Sequence, residues 1–330
     1  MTKKTKLPPV TDSWFKENVE PFNQEVTEEF IDQQHLSPQT LKTYKSNLYQ
    51  FFHYVHEKCS NKSILKLRKK DALKYQNFLL GSGLSPSATK NKRATVSSLC
   101  EYIMLYYEDE REFRNIYTGV PNPSKAVVHK KNPLSKDEFD KLIAHFTKEE
   151  KWQIVAYLWF VYETGARREE VRQLKREVIH YNYCVDQETG EQTDFYETHE
   201  IRAKGKGREG KPRNFHFGDE AMTALKKWSE IRGEDECEHM FVKKTKQGKT
   251  QQLSPTTFNY WCSKLFFDVL GRRVHPHLFR STRATHLVVN EGYDIEAAQE
   301  LLGHESSETT KIYVVKEGGK NMSKIFKKKT

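Results

Sequence analysis

The tripeptide Leu-Ser-Pro occurs three times, at Leu36–Pro38, Leu84–Pro86 and Leu253–Pro255. A serine side chain accepts hydrogen bonds from the open amides at a helix start. Proline suits the next position, where no amide donor is needed and its backbone angle is already helical. Each tripeptide therefore marks a helix N-terminus. After the first, Leu41, Tyr44, Leu48, Phe51 and Val55 recur at helical spacing, and after the second, Val96, Leu99, Ile103 and Tyr106 do the same. Between them, Asp71 to Leu80 reads as a further helix stopped by Gly81-Ser82-Gly83. The chain can only be mainly helical.

Two domains are the prior for 330 residues. Residues 1–20 mix Lys, Pro and Thr and are expected to be an arm. Residues 21–118 form an all-helical domain of four or five helices. Residues 119–133 carry Pro121, Pro123, Pro133 and a basic run, which is the composition of a linker. A second domain, 134–316, opens on the capping box of Ser135 and Glu138. It is helical with a small β insert, its strands expected at Val178–Val185, Phe195–Ala203 and Asn214–Phe217. Ile154 to Tyr162 reads as a buried core helix, too short to span a bilayer. A tail, 317–330, places Met322, Ile325 and Phe326 on one stripe of a short basic helix. That helix needs a groove to bury the stripe, with a neighbouring protomer the expected host and its own protomer the alternative.

The formal net charge of +10 favours a polyanionic partner. Lys42 and Lys45 lie on one helix, Lys90 and Arg93 on another, opposite the apolar stripes. These are the candidate DNA contacts, and a solvated amphipathic surface is the alternative. Five cysteines without a Cys-x-x-Cys pair argue against a disulfide framework or zinc knuckle and fit a reducing compartment. No signal-like apolar segment opens the chain, so a cytoplasmic, nucleoid-associated protein is expected. No metal site and no cofactor are expected.

Three ordered motifs carry chemistry. Thr164-Gly165-Ala166-Arg167 is followed by Glu170, His277-Leu278-Phe279-Arg280 by Thr285-His286, and Leu301-Leu302-Gly303-His304 by Thr309-Thr310 and Tyr313. Arginine forks match phosphate oxygens. Histidines move protons near neutrality, and tyrosine is a nucleophile once deprotonated. Each motif alone is weak. With about one chance in twenty per specified position, the ordered set is not accidental.

With these motifs the chain resembles the tyrosine recombinase (phage integrase) family. The likeness is marked over 160–215 and 275–315 and architectural in the N-terminal half. The resemblance implies a SAM-like core-binding domain and an α+β catalytic domain that close on duplex DNA as a clamp. It implies catalytic roles for Arg167, His277, Arg280, His304 and Tyr313, with Glu170 in support. The hairpin lysine of the family falls in the turn Ala203–Arg208, where Lys204 directly follows the strand and is preferred. Lys206 is the competitor, and whichever lysine is not catalytic would contact phosphate or lie in a solvated turn. The resemblance also implies inverted-repeat core sites, a synaptic tetramer, a Holliday junction and cyclic exchange of the tail. Only a short segment precedes the first core-binding helix, so a compact recombinase without an arm-binding domain is expected.

The role stays open at this level between integration, excision or transposition of a mobile element and resolution of chromosome or plasmid dimers. A type IB topoisomerase shares the chemistry, but the Leu-Leu-Gly-His box argues against it. A non-catalytic DNA-binding regulator is disfavoured by the intact tyrosine and both arginines.

Overall fold

The computed structural model describes residues 7–32, 36–124, 132–203, 210–303, 310, 311 and 314. The chain divides into two compact units, with the boundary in sequence near residue 130.

The first unit holds α1 (Asp12–Asn18), α2 (Pro21–Ile31), α3 (Pro38–Lys58), α4 (Lys69–Gly81) and α5 (Pro86–Tyr106). The Leu-Ser-Pro signals start helices as expected. Ser37 Oγ accepts from the Thr40 amide at 3.2 Å, and Ser85 Oγ from the Ala88 amide at 3.2 Å. Leu48, Phe51 and Val55 on α3 meet Val96, Leu99 and Ile103 on α5 in one core. The expected arm is shorter than 20 residues. Thr11 caps α1, and Phe15 is fully buried, stacked on Tyr49 with ring centroids 3.9 Å apart. Two aromatic faces leaving water outweigh the polar composition of the segment. The expected linker also begins inside this unit, since Val120 packs against its core.

The second unit opens on α6 (Lys136–Lys148), where the capping box forms: Ser135 Oγ accepts from the Glu138 amide, and Glu138 accepts from the Ser135 amide. Arg272 forks onto Glu138 at 2.5 and 2.7 Å and holds its carboxyl below the usual range. Next come α7 (Trp152–Thr164) and α8 (Arg168–Arg172). Helix α7 is buried nearly all round, which is why its sequence is apolar on every face.

The β insert is smaller and more broken than expected. It comprises β1 (Tyr196–Glu197), β2 (Ile201–Ala203), β3 (Lys211–Arg213) and β4 (His216–Phe217). β2 pairs antiparallel with β3, Ile201 opposite Arg213, and β1 pairs with β4. Val178–Val185 is not a strand. Arg176–His180 is a 3₁₀ turn with Val178 buried, and Val185 makes one isolated bridge to Gln192.

Helix α9 (Asp219–Arg232) packs against α7, and the hairpin β5 (Val242–Lys244) and β6 (Thr250–Gln252) follows. Helices α10 (Pro255–Tyr260), α11 (Phe266–Leu270), α12 (Pro276–Thr285) and α13 (Ile295–Leu302) complete the described elements. Ser254 caps α10 at the third Leu-Ser-Pro. Among the described residues, no helix is long and apolar enough to cross a membrane, and all five cysteines are unpaired.

Candidate active site

The site is built where three helix ends converge. Helix α7 stops at Gly165, in the left-handed conformation with φ 60°. A Cβ added to Gly165 would lie 2.4 Å from Leu302 Cδ2. Glycine is therefore required twice, by the backbone turn and by the approach of α13. Thr164 Oγ donates to the Phe160 carbonyl at 2.6 Å and accepts from the Ala166 amide at 3.1 Å, locking the turn that delivers Arg167.

Arg167 begins the next turn. Its backbone amide and its guanidinium both donate to Glu170, at 2.6 and 2.8 Å. Glu170 is 1% exposed, whereas the Arg167 side chain keeps 27% of its surface in solvent. A buried carboxylate thus holds a partly open guanidinium in one orientation.

On α12, Pro276 takes the first helical position and His277 follows it, exposed. Arg280 lies almost one turn later and is fully buried. It donates to the Gly165 carbonyl at 3.0 Å and to the Leu302 carbonyl. Leu278 and Phe279 between them enter the core. His286, in the π-helical turn that continues α12, is buried. It bonds the Leu134 carbonyl and the Tyr162 hydroxyl, both at 2.8 Å. The carbonyl can only accept, so Nε2 donates to it and Nδ1 accepts from Tyr162. Burial holds the His286 pKa below its ordinary value. The second histidine of this motif is a structural tie.

Asp294 caps α13 through the Ala297 amide at 2.7 Å, and Gly303 ends the helix at φ 60°. The end of α13 touches both arginine-bearing segments, through Leu302 on Gly165 and through the Leu302 carbonyl on Arg280. Arg167, Glu170, Arg280 and the exit of the Leu-Leu-Gly box are thereby gathered in one place. Lys204, Lys206, His304 and Tyr313 lie outside the described residues, as does the tail.

A further arginine was not among the sequence candidates. Arg213, half-buried, donates to the Leu301 and Leu302 carbonyls and lies over the Phe215 ring, 4.5 Å from its centroid. Burial lowers its pKa against the pull of Glu170. Strand alternation marks only its face, shared with Phe215 and with inward-facing Ile201 opposite, and not its place in the site.

The candidate DNA contacts of the first unit separate. Lys42 and Lys90 are exposed. Lys45 is partly exposed and paired with Asp12 at 2.7 Å. Arg93 does not belong on the outer face. It is 5% exposed and donates to Gln76 and to the Val120 and Pro121 carbonyls at 2.9 and 2.6 Å. It stitches α5 to α4 and to the start of the expected linker.

The family model described as "Phage integrase family" matches residues 132–318. The chain belongs to the phage integrase family, the tyrosine recombinases. A model for the N-terminal SAM-like domain of phage integrases matches residues 25–105. The SPbeta prophage-derived recombinase-like protein YomM of Bacillus subtilis (strain 168) is 33% identical over 327 residues, covering 97% of this chain and 95% of that protein. Among solved structures, a lambda integrase (75–356) dimer bound to a COC′ core site has a TM-score of 0.64 at 16% identity, covering 90% of this chain and 95% of that one. A lambda integrase tetramer bound to a Holliday junction has a TM-score of 0.62 at 15% identity, covering 94% and 83%. This recombinase thus shares their fold, a SAM-like helical domain followed by a mixed catalytic domain.

Proposed function

We propose that this recombinase cleaves and rejoins duplex DNA through a 3′-phosphotyrosine bond on Tyr313, and that it moves a mobile element. The observation that carries the reading is the convergence of Arg167 and Arg280 at the exit of α13, the helix that leads to His304. Two guanidiniums held at one place suit the non-bridging oxygens of a single phosphate and the charge that builds on phosphorus. The phenol oxygen of Tyr313 bonds to phosphorus as the bond to the 5′ oxygen breaks. The phenol proton passes to His277, since an unperturbed phenol has a pKa near 10. The 5′ oxygen takes a proton from Lys204, with Lys206 as the alternative donor. His304 hydrogen-bonds the scissile phosphate, and Glu170 orients Arg167. Reversal by an incoming 5′ hydroxyl restores the phosphodiester. The ester energy is retained, so neither ATP nor a metal ion is called for.

Similarity to a prophage-derived recombinase-like protein supports the mobile-element role. The DNA-bound dimer and tetramer of lambda integrase support a clamp on inverted-repeat core sites and a tetramer during exchange. The test is a two-site plasmid recombination assay in EDTA, run beside a plasmid relaxation assay. Exchange between sites is expected. Relaxation without exchange would point to topoisomerase chemistry, and binding with neither activity would leave a regulator.

A further inference from the structure

We propose that Arg213 is a positioning residue for strand cleavage, holding the end of α13 against β3 so that Arg280 keeps its place beside Arg167. The proposal rests on the cleavage reading above. The last carbonyls of a helix have no partner within it and carry the negative end of its dipole. Arg213 meets three in succession, Leu301 and Leu302 directly and Glu300 at 3.4 Å. The Leu302 carbonyl also accepts from Arg280. One oxygen therefore ties the strand arginine to the arginine of α12.

Two neighbours fix the guanidinium. Phe215, buried, lies under it at 4.5 Å, a cation–π contact that disfavours other rotamers. On the other side stands Gly303, where an added Cβ would come within 2.4 Å of Nη1. Gly303 is required by its φ of 60°, and its bare Cα leaves room for the guanidinium. Arg213 also feels Glu170 and Arg167, attracted by the first and repelled by the second. Both terminal nitrogens go to helix carbonyls. The role assigned to it is to hold α13, while the grip on phosphate is left to Arg167 and Arg280.

The experiment uses the full chain carrying Arg213→Ala or Arg213→Lys, with half-site binding, thermal melting and adduct formation measured. Three nicked suicide substrates are compared: the phosphodiester, a scissile methylphosphonate and a 5′-phosphorothiolate. Half-site affinity is expected to stay within about twofold of wild type, because DNA contacts are unchanged. Adduct formation on the phosphodiester is expected to fall about a hundredfold for Arg213→Ala, the scale of a 1 Å misplacement. Arg213→Lys recovers part of that, since an ammonium reaches one carbonyl.

The loss should shrink on the methylphosphonate, whose neutral centre leans less on the arginines. It should persist on the phosphorothiolate. Equal loss on all three substrates would reduce Arg213 to a general fold contact and overturn the proposal, as would a wild-type rate in Arg213→Ala. Rescue by the phosphorothiolate would instead assign Arg213 to the hairpin lysine and also overturn it. If Arg213→Ala does not fold, Arg213→Lys carries the same comparison. Absence of any adduct with wild type would overturn the cleavage reading itself, and Arg213 positioning with it.

Discussion

Arg93 shows how one side chain can reverse its expected role. Stepping back from Val96 at helical spacing lands on Arg93 and then Thr89, and both are buried along with Cys100 and Ile103. Arg93 therefore lies on the apolar stripe of α5 and not opposite it. The register was legible, but an arginine on it invites a surface reading because buried arginine is rare. Replacing Arg93 with Met should destabilise the first unit by roughly 3 kcal/mol, since the carbonyls it serves lose a charged donor. At a temperature where the variant is folded, half-site affinity should match wild type. A stability within error of wild type, with weakened DNA binding, would restore Arg93 to the DNA face. Arg167 and Glu170 were legible for the opposite reason. Their three-residue spacing at a helix start leaves the carboxylate little choice but the arginine's own amide and guanidinium. Arg213 was not legible as part of the site, because its partners are backbone carbonyls 88 and 89 positions away.

Elements with local signals were readable, and elements made by pairing were not. Serine caps, N-terminal prolines and terminal glycines identified α3, α5, α6, α10 and α13 from neighbours in sequence. The β insert depends on cross-strand partners. Val178–Val185 has strand composition, but its first residues fold as a 3₁₀ turn and only Cys184 and Val185 find partners, across to Gln192–Phe195. The basic run around Lys243–Lys249 concealed the hairpin of β5 and β6, which turns at Gly248 with φ 79°. Helix α12 is anchored by a device with a pH signature. Its Thr282 hydroxyl accepts from the Leu134 amide, and His286 bonds the Leu134 carbonyl. Because the folded pKa of His286 lies below its ordinary value, the unfolded chain takes up a proton first as pH falls. Stability is lost from about pH 6.5 downward until the lowered folded pKa is passed. Melting temperatures between pH 8 and pH 5 should therefore fall further for wild type than for His286→Gln, whose amide replaces the donor without titrating. Parallel curves would show that His286 is not a source of acid sensitivity.

At the scale of the molecule, the two-unit division and the catalytic family were readable because the motifs lie in order along the chain. The spatial gathering of Arg167 and Arg280 through Gly165 and Leu302 was not, since it depends on side-chain packing between α7, α12 and α13. The net charge of +10 and the proposed clamp on duplex DNA predict affinity that falls steeply with salt. Each phosphate neutralised contributes about 0.9 to the slope of log affinity against log salt. Changing exposed Lys42 and Lys90 together to Ala should lower that slope by about 2. A flat plot for the parent protein would contradict the clamp, and an unchanged slope in the variant would return those lysines to solvated surface. The central claim is that this recombinase breaks DNA with Tyr313. Its most direct test is Tyr313→Phe on a nicked suicide substrate, with the covalent complex resolved on a denaturing gel and its peptide mapped. Wild type should give an adduct on the peptide containing Tyr313, while Tyr313→Phe should bind the same DNA with wild-type affinity and give none. A persistent adduct in Tyr313→Phe, or a wild-type adduct mapping to another peptide, would contradict the account.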